Sequence, residues 1–222
     1  MNVHKVITID GPSASGKSIL SVSLSKYLKW FVLDSGVLYR IIAFLFLKHK
    51  CNFSQEHYIY ILDKLENYFI YQDGYINCLT YRDIKHVDLM SHQVTSVSSK
   101  LATIAYIRNV LLFKQRLFLR KPGLIASGRD MGTVVFPNAI LKFFLQSTLI
   151  TRVHRRMCDF NNLGINISFN DLYNTMKKRD YRDINRKYSA LKPANNAIII
   201  NSDNMTFFEL LNYVISYVNK FI

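Results

Sequence analysis

Cysteine is scarce in this sequence, and the few cysteines form no framework. The three residues Cys51, Cys78 and Cys158 are odd in number and widely separated. They show none of the close spacings that bind zinc or pair into a disulfide scaffold. This excludes a disulfide-stabilised secreted domain and predicts free thiols in a reducing compartment. We therefore expect a cytoplasmic protein.

Long apolar runs are also absent. The longest, IIAFLFL at residues 41–47, falls far short of the roughly 20 residues that cross a bilayer. No basic start followed by an apolar core opens the chain, because the run VITID leads directly into a glycine loop. We expect neither a signal peptide nor a membrane partner.

Acidic residues are few, 15 against 29 Lys and Arg, which gives a formal net charge of +14. Such a charge is typical of proteins that bind nucleic acid, anionic membranes or phosphorylated small molecules, and the total does not choose among them. A compositional bias toward Lys on solvated faces would give the same total. With half of its 222 residues apolar, the chain is expected to fold as one globular unit with an inserted subdomain.

Short β-branched runs alternate with longer segments of helical period. The predicted strands lie near residues 6–9, 31–33, 124–126, 141–145 and 197–200. This alternation predicts an α/β fold with a parallel sheet covered by helices on both faces. Thr206 and Glu209 have the spacing of a capping box and predict the start of the last helix, with Phe207 on its buried face.

Two segments interrupt this alternation. Residues 51–97 alternate weakly, with an expected turn at Asp73-Gly74, and are predicted to form a small insertion. Residues 151–187 contain nine Lys or Arg against four Asp, a net charge of +5 in one predicted helical hairpin.

The stretch GPSASGKS at residues 11–18 follows the first predicted strand and precedes a helix, where the motif G-x-x-x-x-G-K-[ST] binds a nucleoside triphosphate. Its backbone N–H groups and the helix N-terminus hold phosphate oxygens, Lys17 reaches the β- and γ-phosphates, and the Ser18 hydroxyl can ligate Mg²⁺. The predicted donor-nucleotide site comprises Gly11, Pro12, Ser13, Ala14, Ser15, Gly16, Lys17 and Ser18. The motif indicates the ligand and not the activity.

Two further segments end predicted strands beside this loop. LDSGVLYR at 33–40 brings Asp34, Ser35, Tyr39 and Arg40 to the carboxyl edge of the sheet, and LIASGRDMGT at 124–133 brings Arg129 and Asp130. Open α/β sheets bind ligands at this edge. Arg40 is suited to hold a second phosphate that faces the first. The alternatives are a surface arginine for Arg40 and ordinary charge pairing for Arg129 and Asp130.

The basic hairpin suits phosphoryl transfer, in which cations are aimed at the moving phosphoryl group. Arg152 and Arg156 share a helix face, and Arg179, Asp183 and Arg186 recur at helical spacing. A nucleic-acid surface is the alternative. The interspersed Asp residues and the lack of interleaved aromatic residues weigh against it.

Five segments, in order, resemble those of the bacterial cytidylate kinases, which are nucleoside monophosphate kinases. These are VITIDGPSASGKS, LDSGVLYR, GLIASGRDMGTVVFP, TRVHRRM and KKRDYRDINR. The third is the most discriminating, and the resemblance extends from residue 6 to about residue 203. It implies a P-loop nucleoside monophosphate kinase fold, with a parallel five-stranded sheet flanked by helices. The implied organisation is a single kinase domain over residues 1–222, an inserted NMP-binding subdomain at about 36–97 and a helical lid at about 151–187.

The resemblance also implies the activity: transfer of the γ-phosphate of ATP to CMP or dCMP with Mg²⁺, in pyrimidine nucleotide metabolism. The implied acceptor-site residues are Ser35, Tyr39, Arg40, Ser99, Arg108, Arg129, Asp130, Arg179, Asp183 and Arg186. The implied catalytic cations are Lys17, Arg129, Arg152, Arg156 and Arg179. Mg²⁺ would be held by Ser18, with Asp34 acting through water. Asp130 would accept a hydrogen bond from the cytosine amino group and reject the uracil carbonyl.

The sequence departs from the family pattern at two positions of consequence. Ser127 stands where the family commonly has a carboxylate, so any ordering of Mg²⁺ waters would fall to Asp34. Ala14 replaces a frequent loop glycine, which is tolerable if that position does not need positive φ.

The rival activities are a kinase for UMP or AMP and a nucleic-acid-coupled ATPase. A regulatory GTPase is disfavoured because no N-K-x-D motif is present. We expect a monomer that binds no nucleic acid.

Overall fold

The computed structural model of the chain describes residues 5–73, 75–79 and 83–222. In chain order the strands are β1 (Lys5–Asp10), β2 (Phe31–Asp34), β3 (Phe69–Gln72), β4 (Tyr75–Leu79), β5 (Gly123–Gly128), β6 (Leu141–Gln146) and β7 (Ile198–Asn201). The α-helices are α1 (Lys17–Leu28), α2 (Ser35–Lys48), α3 (Gln55–Leu65), α4 (His86–Met90), α5 (His92–Leu101), α6 (Ala105–Arg116), α7 (Leu149–Asn162), α8 (Phe169–Asn185) and α9 (Phe207–Phe221). A 3₁₀ turn covers Glu66–Tyr68 and a π-helical turn covers Met131–Val135.

The five predicted strands are confirmed and form one parallel sheet in the order β2-β5-β1-β6-β7. Alternate strand residues face opposite sides: Val6 and Leu124 contribute to one buried cluster, whereas Ile7 and Ile125 contribute to the other. Helices cover both faces, which is why the strands are continuously apolar. The register pairs Asp10 with Gly128 and therefore aligns the carboxyl ends of β1 and β5 at one edge.

The last helix confirms the capping-box prediction. The Thr206 hydroxyl accepts from the Glu209 N–H, and the Glu209 carboxylate accepts from the Thr206 N–H. The expectation that Phe207 is buried was wrong, since 41% of it is exposed at the first turn of α9. The buried residues of this helix are Leu210, Val214 and Val218.

The segment between α2 and α6 contains a separate antiparallel ladder, β3 with β4, in addition to α3, α4 and α5. Gly74 of the expected turn lies outside the described residues. Apolar residues of this segment, including Tyr58, Ile61 and Val94, share one buried cluster with α2. The segment is thereby fixed beside the carboxyl edge of the sheet.

The basic segment forms the predicted helical hairpin, α7 and α8. The two helices pack through their own small core of Val153, Phe160, Leu172 and Met176. Ala14 of the phosphate loop and Met90 at the end of α4 pack against this core. The hairpin therefore contacts both the loop and the inserted segment. Within the described residues, no helix has both the length and the apolar character needed to cross a membrane.

Candidate functional site

The phosphate loop turns from β1 into α1 on two glycines. Gly11 and Gly16 have φ values of +148° and +95°, which L side chains rarely adopt. A Cβ on Gly11 would also overlap the Leu145 carbonyl oxygen of β6. Both positions therefore require glycine. The loop leads directly into the N-terminus of α1.

Lys17 is the first residue of α1 and is only 7% exposed. Its ammonium donates to the Pro12 carbonyl oxygen at 2.5 Å and to the Ser15 hydroxyl at 3.2 Å. Burial and the nearby Arg129 hold the pKa of Lys17 well below its usual value. The lysine is thus held by its own loop. A bound anion would stabilise its charged form.

Ala14 would replace a loop glycine without strain only if its φ were negative. Its φ is +57°, so this condition is not met. A left-handed conformation costs a non-glycine residue about 1–2 kcal/mol, because Cβ crowds the following carbonyl oxygen. The loop keeps the conformation that a glycine would adopt and carries this strain.

We expect Ala14→Gly to stabilise the protein by about 0.5–1 kcal/mol, since relief of the strain exceeds the added chain entropy of glycine. For a chain of this size the melting temperature should rise by about 2–3 °C. Differential scanning calorimetry of the ligand-free protein measures this. Ala43→Gly, in the middle of α2, is the matched control and should lower the melting temperature. A lower melting temperature for Ala14→Gly would contradict the strain.

Ser18 and Asp34 meet beside the loop. The Ser18 hydroxyl donates to Asp34 Oδ2 at 2.5 Å, and Asp34 Oδ1 accepts from the Gly36 and Val37 N–H groups at 2.8 and 3.3 Å. Asp34 therefore caps α2 with one oxygen and faces Ser18 with the other. A hydroxyl and a carboxylate are hard oxygen ligands that fit Mg²⁺, which also keeps waters and substrate phosphates.

Ser127 is paired in register with Asp34 on the adjacent strand. It is 1% exposed, and its hydroxyl has no hydrogen-bond partner among the described residues. A serine cannot supply the negative charge that a carboxylate at this position would. In this part of the site, Asp34 is the acidic group beside Ser18.

The main cleft lies between the phosphate loop, α2, α5 and α8. Seven Lys or Arg side chains and three Asp line it: Lys17, Arg40, Arg108, Arg129, Arg156, Arg179, Arg186, Asp34, Asp130 and Asp183. Ser13, Ala14, Ser18, Ser35, Tyr39 and Ser99 complete the predicted residues in its wall. The structure thereby brings together side chains from distant parts of the sequence. The cleft has four more positive than negative groups.

The charges at the centre of the cleft are only partly compensated. Asp183 accepts from Arg129 Nε at 2.9 Å and lies 3.9 Å from Arg186 Nη1. Burial alone would raise the pKa of Asp183, but Arg129, Arg179 and Arg186 hold it below its usual value. Burial and Arg129 lower the pKa of Arg179 to about 9. The pKa shifts agree with the excess of positive groups that line the cleft.

Helix α7 of the basic hairpin contributes Arg156 to the same cleft. Burial, followed by the charge of Arg40, lowers the pKa of Arg156 to about 10. The Arg156 and Arg40 guanidiniums both approach the Met90 sulfur, at 3.6 and 3.1 Å. Arg156 Nη1 also lies 3.6 Å from Asp159 Oδ2 on the same helix. Both arginines line the cleft, where a phosphate could accept charge-assisted hydrogen bonds from them.

At the other end of the cleft, Arg108 and Asp130 form a buried ion pair. Arg108 also donates to the Ala102 carbonyl oxygen at 3.1 Å and lies over the Tyr39 ring. Burial raises the pKa of Tyr39 to about 12, so the ring stays neutral. The Ser99 hydroxyl is buried without a hydrogen-bond partner in the described part of the chain. A buried polar group of this kind is typical of a ligand site.

Of the predicted residues outside the phosphate loop, Arg152 is the one that does not line the main cleft. Within the loop, Gly11, Pro12, Ser15 and Gly16 do not line it either. The Arg152 guanidinium donates to Asp180 at 2.6 Å and to the carbonyl oxygens of Ser147 and Ser13 at 3.0 and 3.3 Å. It lines a second cavity on the other side of the phosphate loop, with Pro12, Phe144, Thr148, Leu191, Asn201 and Asp203.

Three residues near the site were missed in the sequence. Asp10 ends β1 directly before the loop and is buried. Thr95 lies one turn before Ser99 and also has a buried hydroxyl without a hydrogen-bond partner among the residues described. Gln115 donates to the Ser35 hydroxyl at 3.1 Å. Position at a strand end and the four-residue spacing to Ser99 were usable signals for the first two, but nothing local marks Gln115.

The family model and the sequence relatives of this chain agree with one another. A family model described as cytidylate kinase matches residues 7–220. A cytidylate kinase of Buchnera aphidicola subsp. Baizongia pistaciae is 43% identical, over 99% of this chain and 96% of the relative. One of Serratia proteamaculans is 38% identical, over 97% of this chain and 94% of the relative. Among solved structures, a gluconokinase from Sinorhizobium meliloti has a TM-score of 0.48 and 8% identity, over 97% of this chain and 92% of its own.

Proposed function

The chain belongs to the cytidylate kinase family, and we propose that its main cleft transfers the γ-phosphate of ATP to CMP or dCMP, giving ADP and CDP or dCDP. The observation that carries this proposal is the surplus of cations that line the cleft beside the phosphate loop, with a carboxylate at the far end. The triphosphate of the donor and the single phosphate of the acceptor would compensate those cations, and the acceptor base would reach the carboxylate.

The acceptor phosphate would be held by Arg40 and Arg129, which line the cleft with Lys17. Arginine binds phosphate through two parallel hydrogen bonds, which fixes its orientation as well as its charge. Arg179 supports this role, because its buried Nε has no hydrogen-bond partner within the described ranges. With a pKa of about 9 it remains charged at neutral pH.

The chemistry requires no general base. A phosphate oxygen of CMP is already an anionic nucleophile, and the transferring group develops charge on its equatorial oxygens. Lys17, Arg156 and Arg179 would stabilise that charge from three sides, since all three line the cleft. Excluding water is the task of the α7–α8 hairpin, which packs against the loop and α4.

Base selection would rest on Asp130, with Ser99 and Arg108 beside it. A carboxylate accepts a hydrogen bond from the cytosine amino group but faces the uracil O4 acceptor to acceptor. The resulting unpaired polar group would cost UMP about 1–3 kcal/mol. Asp183 and Arg186 line the same cleft, where Asp183 would contact the sugar of the acceptor.

The donor nucleoside would occupy the second cavity, across the phosphate loop from the acceptor. Its lining residues follow the carboxyl ends of β6 and β7, where open α/β sheets bind ligands. Arg152 lines this cavity and donates to the loop carbonyl of Ser13. Its predicted catalytic role would therefore be exerted from the donor side.

Mg²⁺ would be held by the Ser18 hydroxyl, with Asp34 ordering its waters, and would supply charge neutralisation for the donor phosphates. We expect Ser18→Ala to raise the Mg²⁺ concentration for half-maximal rate about fivefold, which corresponds to about 1 kcal/mol for the lost ligand. Initial rates over a Mg²⁺ series at fixed ATP measure this. Ser25→Ala, further along α1, is the matched control. An unchanged Mg²⁺ requirement in Ser18→Ala would contradict the assignment.

ADP formation from ATP and Mg²⁺ with CMP, dCMP, UMP, AMP or single-stranded DNA tests the proposed function. We expect strong turnover with CMP and dCMP and weak turnover with UMP and AMP. A polynucleotide-stimulated ATPase is the rival. It is disfavoured because Arg156, Arg179 and Arg186 of the basic hairpin line the cleft rather than a surface. Hydrolysis that responds to DNA and not to CMP would establish the rival.

We also propose a cytoplasmic monomer. Support comes from the cleft itself, because residues of one chain supply both its phosphate end and its base end. Light scattering that gives the mass of a stable dimer would contradict the monomer.

A further inference from the structure

Asp10 is a buried carboxylate that the chemistry above does not use. It is the last residue of β1, directly before the phosphate loop, and is 4% exposed. Its Oδ1 accepts from the Met131 N–H at 2.9 Å, and its Oδ2 accepts from the Gly132 N–H at 2.7 Å. Both oxygens therefore hold the backbone that immediately follows Arg129 and Asp130.

This contact requires a carboxylate. Two N–H groups approach two different oxygens, whereas an amide would offer one acceptor and turn an N–H donor toward the other. The approach is also close, because a Cβ on Gly132 would lie 2.8 Å from Thr8 Oγ1 and 3.4 Å from Asp10 Oδ2. Glycine at 132 lets the backbone reach the carboxylate.

We infer that Asp10 is a positioning residue, which ties the Arg129-Asp130 segment to the end of β1 and so fixes both side chains relative to the phosphate loop. The inference rests on the proposed function, in which Arg129 holds the acceptor phosphate and Asp130 reads the base. One strand end would thereby set the distance between the donor and the acceptor.

The arrangement makes acceptor binding dependent on pH. Burial raises the pKa of Asp10 to about 6, and the charges that bear on it are Asp130 after β5 and Lys17 on α1. Lys142 of β6 lies near Gly132, but its ammonium donates to the Pro137 carbonyl oxygen. Above pH 6 the ionised carboxylate accepts both N–H groups. Protonation places a hydrogen on one oxygen and breaks one of the two contacts.

The test compares Asp10→Asn with the wild type. We expect the KM for CMP to rise about tenfold, as for one lost charge-assisted hydrogen bond, while the KM for ATP stays within about twofold. The ratio of wild-type to variant kcat/KM for CMP should be about ten at pH 8 and approach one by pH 5. Taking the ratio cancels the titration of the CMP phosphate itself.

Two controls separate positioning from loss of structure. The melting temperature of Asp10→Asn at pH 8 should change by only a few degrees, because the amide loses one N–H contact but also avoids the cost of burying a charge. Thr8→Val removes a buried hydroxyl that faces the same Gly132 and should leave the KM for CMP unchanged. A pH-independent ratio, or equal weakening of ATP and CMP, would overturn the inference. If the wild type fails to phosphorylate CMP at all, the proposed function fails instead.

Discussion

Replacing Lys17 with methionine is expected to lower kcat by about three orders of magnitude. Methionine keeps the length of the side chain and removes its charge, so the loss reports on the cation alone. Removal of one group that stabilises transition-state charge costs about 10²–10³ in kcat, and removal of an arginine aimed at a transferring phosphoryl group costs about 10³–10⁵. Steady-state rates with saturating ATP and CMP measure the effect.

The KM for CMP should change only a few-fold in this variant, because Lys17 is assigned to the donor phosphates. Lys26→Met is the matched control, since Lys26 lies on the exposed face of the same helix and should leave kcat unchanged. A Lys17→Met enzyme that keeps a tenth of the wild-type rate would show that the loop does not hold the transferring group.

Replacing Asp130 with asparagine is expected to lower kcat/KM for CMP about 100-fold and to bring the ratio of CMP to UMP near one. The asparagine amide can accept from cytosine through its oxygen or donate to uracil through its nitrogen, so the discrimination is lost. Arg108 also loses the carboxylate of its buried ion pair, which by itself is costly. The specificity constants of both acceptors should be measured in the same assay.

The matched control is Asp63→Asn, an exposed position on α3, which should leave both constants unchanged. Because the Arg108 pair also contributes to folding, the melting temperature of Asp130→Asn should be measured beside the rates. A folded variant that still prefers CMP to UMP by the wild-type ratio would show that Asp130 does not recognise the base.

The cleft concentrates positive charge, with seven Lys or Arg against three Asp in its wall. Burial, followed by neighbouring arginines, lowers the pKa values of Arg179 and Arg156, although Arg156 also pairs with Asp159. Like charges held close together and away from water cost stability, and a bound anion would reduce that cost. Binding of a nucleotide phosphate would therefore be coupled to a gain in stability of the whole domain.

The strands and the phosphate loop were predictable because their signals are local. A strand buried on both faces is a continuous apolar run, as VITI and LKFFL show, and the glycines of the loop have a geometric role that other residues cannot fill. The position of Arg40, Arg129 and Asp130 at one edge followed from parallel strands, whose carboxyl ends meet there.

The remainder depends on contacts between distant segments. Helical spacing predicted that Arg152 and Arg156 share one face of α7. It could not predict that they line two different cavities, with the phosphate loop between them. The role of Asp10 depends on N–H groups more than 120 residues away, and backbone donors have no sequence signature. The positive φ of Ala14 could not be predicted, because alanine favours negative φ.

In the proposed reaction, the γ-phosphoryl group moves from ATP to CMP in this cleft. Following the label of [γ-³²P]ATP with CMP present tests this transfer most directly. We expect the label to appear in CDP, at a rate that depends on Lys17, with little release as inorganic phosphate. Label that appears only as inorganic phosphate, at the same rate with and without CMP, would contradict it.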